Sequence, residues 1–83
     1  MQTPIIMPEL GCQGLRLSVW LADIGDQVFE GDGLLEVLAG PATFDVTSPA
    51  SGHLASKLAY PDDWIRPGQV LGTVMVDEPV AQS

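Results

Sequence analysis

The chain is 83 residues long, 46% of them hydrophobic, and sets three basic residues against eleven acidic ones for a net charge of −8. One small domain with a single core fits this length, and the apolar content excludes a disordered chain. The acidity opposes phosphate backbones and anionic lipid surfaces, which excludes nucleic-acid and membrane-surface roles.

Short apolar runs recur along the chain, each bounded by Gly, Pro or Asp. No stretch keeps a helical period, and the seven prolines are spread so evenly that a long helix has no room. Taken in order, the predicted strands are Thr3–Met7, Leu15–Ala22, a short piece at Gln27–Phe29, Leu34–Leu38 and Thr43–Thr47. His53–Tyr60, a second short piece at Trp64–Ile65, and Val70–Val76 complete the set. Many short strands with closely spaced turn signals predict an all-β sandwich or barrel. The turns carry their own chemistry: Gly25-Asp26, Gly31-Asp32-Gly33, Asp62-Asp63 and Pro67-Gly68. The expected domain is residues 1–76, with 77–83 as a flexible tail or the start of a linker.

An internal repeat sharpens the reading. A shift of 37 residues lays Leu17 on Leu54, Leu21 on Leu58, Ala22 on Ala59, Asp26 on Asp63 and Val28 on Ile65. It also lays Gly31 on Gly68, Leu34 on Leu71 and Val37 on Val74. Each half is too small to bury its own apolar face, so the two must cover one another. The repeat predicts two similar four-stranded antiparallel sheets related by a pseudo-twofold axis.

Residues able to carry chemistry are few. Cys12 is the only cysteine, which leaves no internal disulfide and no cysteine-based zinc cluster. No His, Lys or Arg adjoins it in sequence, and acidic surroundings disfavour its thiolate. His53 is a lone histidine without a ligand partner nearby in sequence, and reads as a structural or surface residue. The aspartates lack calcium-loop spacing. No metal site and no catalytic residue is expected. Lys57 is the only lysine; it falls inside a predicted strand and reads as solvated, with Ala55 and Ala59 on its face and Leu54 and Leu58 opposite. Trp20 and Trp64 are both expected to pack between the sheets or across their edge.

Met7-Pro8-Glu9-Leu10-Gly11, Gly25-Asp26-Gln27-Val28-Phe29-Glu30-Gly31-Asp32, Ser48-Pro49-Ala50-Ser51-Gly52 and Gly68-Gln69-Val70-Leu71 together resemble the biotinyl/lipoyl attachment domain family. The likeness covers roughly residues 4 to 76. Ala42-Thr43-Phe44-Asp45-Val46 is similar to lipoyl domains of 2-oxo acid dehydrogenase acyltransferase subunits, because the biotinyl branch flanks its lysine with methionines. The resemblance implies a flattened barrel-sandwich and a hairpin whose tip displays a lysine for amide linkage to the prosthetic group. Here Leu38-Ala39-Gly40-Pro41 stands where that pattern has Glu-Thr-Asp-Lys. The degenerate attachment hairpin is therefore Leu38, Ala39, Gly40, Pro41 and Ala42, with no cofactor expected.

Proline held near φ of about −65° does not fit a type I′ hairpin turn. An open type II-like turn with Gly40 at its third position is expected instead. The loop Cys12-Gln13-Gly14 is about two residues shorter than the resemblance calls for. The same resemblance places Cys12 near Pro41 as a candidate interaction or thiol site.

The implied function is a non-catalytic docking module, a monomer that binds subunits of a 2-oxo acid dehydrogenase type complex through the acidic surface such domains present. Two alternatives stand beside it. One is a carrier with altered attachment chemistry at Cys12 or Lys57. The other is a structural or adaptor barrel-sandwich of a transporter or larger enzyme. The opening residues lack a basic, apolar leader, and no apolar stretch approaches the ~20 residues of a membrane span. The expected location is the cytoplasm.

Overall fold

The computed structural model describes residues 1–11 and 14–76, and within these every regular element is a strand. In chain order they are β1 (Gln2–Ile6), β2 (Leu15–Trp20), β3 (Gln27–Val28), β4 (Gly33–Ala39), β5 (Ala42–Thr47), β6 (Gly52–Lys57), β7 (Trp64–Ile65) and β8 (Val70–Val76). They form two four-stranded sheets of order β1-β8-β6-β3 and β5-β4-β2-β7, and every pairing is antiparallel. The expected tail lies outside the described residues.

The 37-residue repeat is written into the backbone. It carries β2 onto β6, β3 onto β7 and β4 onto β8 without an offset. One sheet thus becomes the other, with β5 and β1 as the matching edges. The turns repeat as well. Asp26 Oδ2 accepts the Asp23 N–H at 2.9 Å, and its counterpart Asp63 Oδ2 accepts the Tyr60 N–H at 2.9 Å. Likewise Asp32 Oδ2 closes on the Phe29 N–H and Gln69 Oε1 on the Arg66 N–H. The one non-glycine residue with positive φ among those described is Asp62, at 75°; it stands where the first half has Gly25 at 96°. Aspartate tolerates that conformation better than most side chains.

Alternation along the strands sends one face inward. Ile5, Val28, Leu54, Leu71 and Val74 from one sheet meet Leu15, Leu17, Leu34, Leu35, Val37, Val46 and Ile65 from the other, with Met7 and Ala59 closing the ends. Four bulges interrupt the alternation, again in repeat-related pairs. Ser18 and Ala55 are extra residues on β2 and β6, and Leu34 and Leu71 are extra on β4 and β8. Each bulge inverts the inward–outward phase of the residues after it. Consequently Leu21 and Leu58 face outward, 53% and 57% exposed, while Ala59 is buried.

Two expectations about facing are corrected by this geometry. Leu58 does not share the buried side of Leu54, because the Ala55 bulge intervenes. Lys57 is not a solvated strand residue either: its side chain is only 18% exposed, with Nζ 5.3 Å from the Trp20 ring centroid and 3.7 Å from Asp23 Oδ1. Trp20 packs across the sheets as expected and donates its indole N–H to the Ala59 carbonyl at 2.9 Å. Its ring lies over Gly72, where a Cβ would stand 3.2 Å from Trp20 Cη2. Lys57 is the repeat counterpart of Trp20, and Leu35 that of Gly72. A large ring over no side chain in one half is thus matched by a slender side chain and a leucine in the other. Trp64 departs from expectation too: it lies on edge strand β7 and is 67% exposed.

Candidate functional site

The β4–β5 hairpin is zipped to its end. Register runs Val37↔Phe44, Leu38↔Thr43 and Ala39↔Ala42, so Gly40-Pro41 is a two-residue loop and both residues are exposed. Gly40 has φ of 62°. Glycine with positive φ at the first central position, followed by a residue confined to negative φ, is the type II′ arrangement favoured in two-residue hairpins. The open type II-like turn with Gly40 in third place is therefore overturned. Proline's ring suits the second central position, and its missing N–H is no loss there because Ala42 closes the ladder. Replacing Gly40 by alanine forces a Cβ into the left-handed region; the expected result is a loss of about 1–2 kcal/mol in a urea titration, with the fold retained.

Beyond the tip, register across the sheet lines up one outward row. Thr43 pairs with Leu38, Leu38 with Arg16 and Arg16 with Trp64. Arg16 and Trp64 are exposed, Leu38 is half-buried, and the Arg16 guanidinium carbon sits 5.6 Å from the Trp64 ring centroid. That distance lies within cation–π range. Gly14 and Gly40 fall two residues from Arg16 and Leu38 on the same face and leave a hollow where side chains would stand. The result is an open groove of about 280 Å³ lined by Gly14, Arg16, Leu38, Gly40 and Trp64. Inward neighbours Leu15 and Ile65 are buried and fix the strands that carry Arg16 and Trp64. The next outward row holds Glu36 opposite Val19 and Asp45. Arg16 makes no ion pair among the described residues.

The sequence-predicted hairpin residues Leu38, Ala39, Gly40, Pro41 and Ala42 are thus brought together at one end of the molecule. Cys12 lies outside the described residues. Lys57 is on the other sheet, pinned under Trp20. His53 is half-buried on β6 between Gln27 and Met75 in register. Among the described residues no group of three His, Cys, Asp or Glu side chains is placed to hold a metal ion. Arg16 and Trp64 are site residues that the sequence does not single out.

Residues 3–77 match the family model described as Biotin-requiring enzyme, that of biotin and lipoyl domains. The chain is 33% identical over 76 residues to the dihydrolipoyllysine-residue acetyltransferase component of the acetoin cleaving system of Pseudomonas putida, spanning 89% of this chain and 20% of that protein. It is also 33% identical over 75 residues to the dihydrolipoyllysine-residue acetyltransferase component of the pyruvate dehydrogenase complex of Corynebacterium glutamicum, spanning 87% of this chain and 11% of that protein. The chain therefore spans a fifth or less of the relatives it matches. Two pseudo-symmetric antiparallel sheets, a β4–β5 hairpin closed by an exposed two-residue loop, and these matches lead to one conclusion: the chain belongs to the biotinyl/lipoyl domain family and is related to the lipoyl domains of 2-oxo acid dehydrogenase acyltransferases.

Proposed function

We propose that this domain works as a docking module and not as a carrier. The observation behind the reading is the hairpin tip: its two loop residues are Gly40 and Pro41, and neither offers a nitrogen that can form a side-chain amide. The family resemblance puts the acylated lysine at that apex. Lys57, the only lysine, is a poor substitute, because an acylating enzyme needs a free amine on a protruding turn and Lys57 lies half-buried against Trp20 and Asp23. With no amine at the hairpin tip, what remains is an acidic surface ending in an apolar hairpin. A module of this kind binds a cytoplasmic assembly of the 2-oxo acid dehydrogenase type, in keeping with the acetyltransferase components among its relatives.

Intact mass tests the carrier half of this reading. Protein purified from lipoate- and biotin-replete cells, then incubated with a lipoate ligase, lipoate and ATP, is expected to keep the mass of its bare sequence. Pro41→Lys restores an amine at the apex and is expected to gain one lipoyl amide. An added group on the unsubstituted chain, at Cys12 or Lys57, would establish the altered-carrier alternative. Affinity capture from the native host tests the docking half. Dehydrogenase or acyltransferase subunits are expected among the captured proteins, and a capture that holds none of them sinks the reading.

A further inference from the structure

Arg16 is the unexplained residue of this surface. The chain has eleven acidic residues against three basic ones, and Lys57 is already engaged by Asp23. Arg16 instead sits over an exposed tryptophan ring at cation–π distance and makes no ion pair among the described residues, although Glu36 and Asp45 stand in the next row. A guanidinium laid over an indole keeps its N–H edge free for bidentate contact with a carboxylate. Beside it, Trp64 and Leu38 give two apolar walls, and glycines at 14 and 40 leave the space between them empty.

We propose that this groove binds the C-terminal carboxylate of a partner polypeptide whose last residue is apolar. A chain end carries both required features within one residue: a carboxylate for Arg16 and a side chain for the Trp64–Leu38 hollow. The size agrees, since about 280 Å³ is at or below the lower limit of small-molecule pockets and suits a single terminal side chain. The openness agrees as well. A free small acid would be largely uncovered there, whereas a polypeptide can continue along the outer face of β2 and β4. Most of the domain's net negative charge does not defeat the contact, because charges more than about 8 Å away are largely screened at physiological salt; Glu36 and Asp45, one row away, are the acids that oppose it. The inference deepens the docking reading by naming the partner's chemistry, but its geometry stands independently of the mass result.

The test is an NMR titration of the 83-residue chain with acetyl-Gly-Ser-Ala-Leu bearing a free carboxylate, and with the same peptide as its C-terminal amide. The free acid is expected to shift the Trp64 indole N–H, the Arg16 Nε–H and the Gly40 amide together, with Kd of roughly 1 mM. The amide is expected to bind at least about tenfold more weakly, as is the free acid to Arg16→Gln. Trp64→Ala is expected to weaken the acid similarly. Both substitutions are on exposed side chains, and unchanged amide dispersion elsewhere confirms folding. Equal shifts for acid and amide, or undiminished binding to Arg16→Gln, would overturn the proposal. Free octanoate binding as tightly as the peptide acid at the same residues would also overturn it, by showing a small-molecule site. None of these outcomes alters the mass experiment.

Discussion

Gly52→Ala is expected to remove more than half of this domain's stability. Gly52 opens β6 opposite Val76, and a Cβ built there would strike the main-chain carbonyl of Met75. Backbone on the central strand β8 cannot swing aside as a side-chain end can. Relief requires the β6–β8 ladder to part at the register Gly52↔Val76 and His53↔Met75. Overpacking of this kind typically costs about 1–3 kcal/mol and can cost more against backbone. An 83-residue domain has about 4–12 kcal/mol to lose. A urea titration tracked by tryptophan fluorescence is expected to show the midpoint collapse by more than half, with Trp20 as the reporting core ring. A variant with the parental midpoint would mean that the two strands do not approach as described.

The second large effect is a matched pair. Leu34→Ala and Leu71→Ala each remove a fully buried side chain from a bulge, and the bulges are related by the repeat. Large-to-small changes at such positions cost about 2–5 kcal/mol, set by how far the surroundings collapse. Because β4 and β8 show the same burial pattern residue for residue, the two losses are expected to agree within about 1 kcal/mol. Chemical denaturation of the single variants and of the double variant measures this. A gap of several kcal/mol between the two would show that the halves share a trace but not an energetic environment.

The fold is legible in the sequence because its signals are local and repeated. Leu17 with Leu54, Gly31 with Gly68 and Val37 with Val74 recur at one spacing, and that spacing maps the strands onto each other. The bulges are not legible. An extra residue at Ala55 leaves the composition of β6 untouched and becomes visible only when β8 chooses its register, so strict alternation places Leu58 and Lys57 on the wrong faces. Strand ends move for a related reason: the hairpin adds the pair Ala39↔Ala42 because Gly40 takes positive φ at once, which closes the loop in two residues.

The candidate site is half visible. Its apex shows through Pro41, whose lack of an amine is a property of one residue. The Arg16–Trp64 row stays hidden because it is assembled across four strands, and the size of Trp64 points to a core. One available signal argues otherwise: the repeat lays Trp64 on Gln27, a polar position that faces outward in the other half.

The closed ring at position 41 also changes what contact asks of the molecule. A lysine-tipped arm must surrender many rotamers and a mobile turn whenever it is gripped, whereas a II′ loop of glycine and proline has almost nothing left to freeze. In the proposed docking, its apex would meet a partner already in final shape, so ordering would subtract little from whatever affinity the surface generates. Under the proposed docking role, the domain would press on its partner as a blunt wedge and not through a tether.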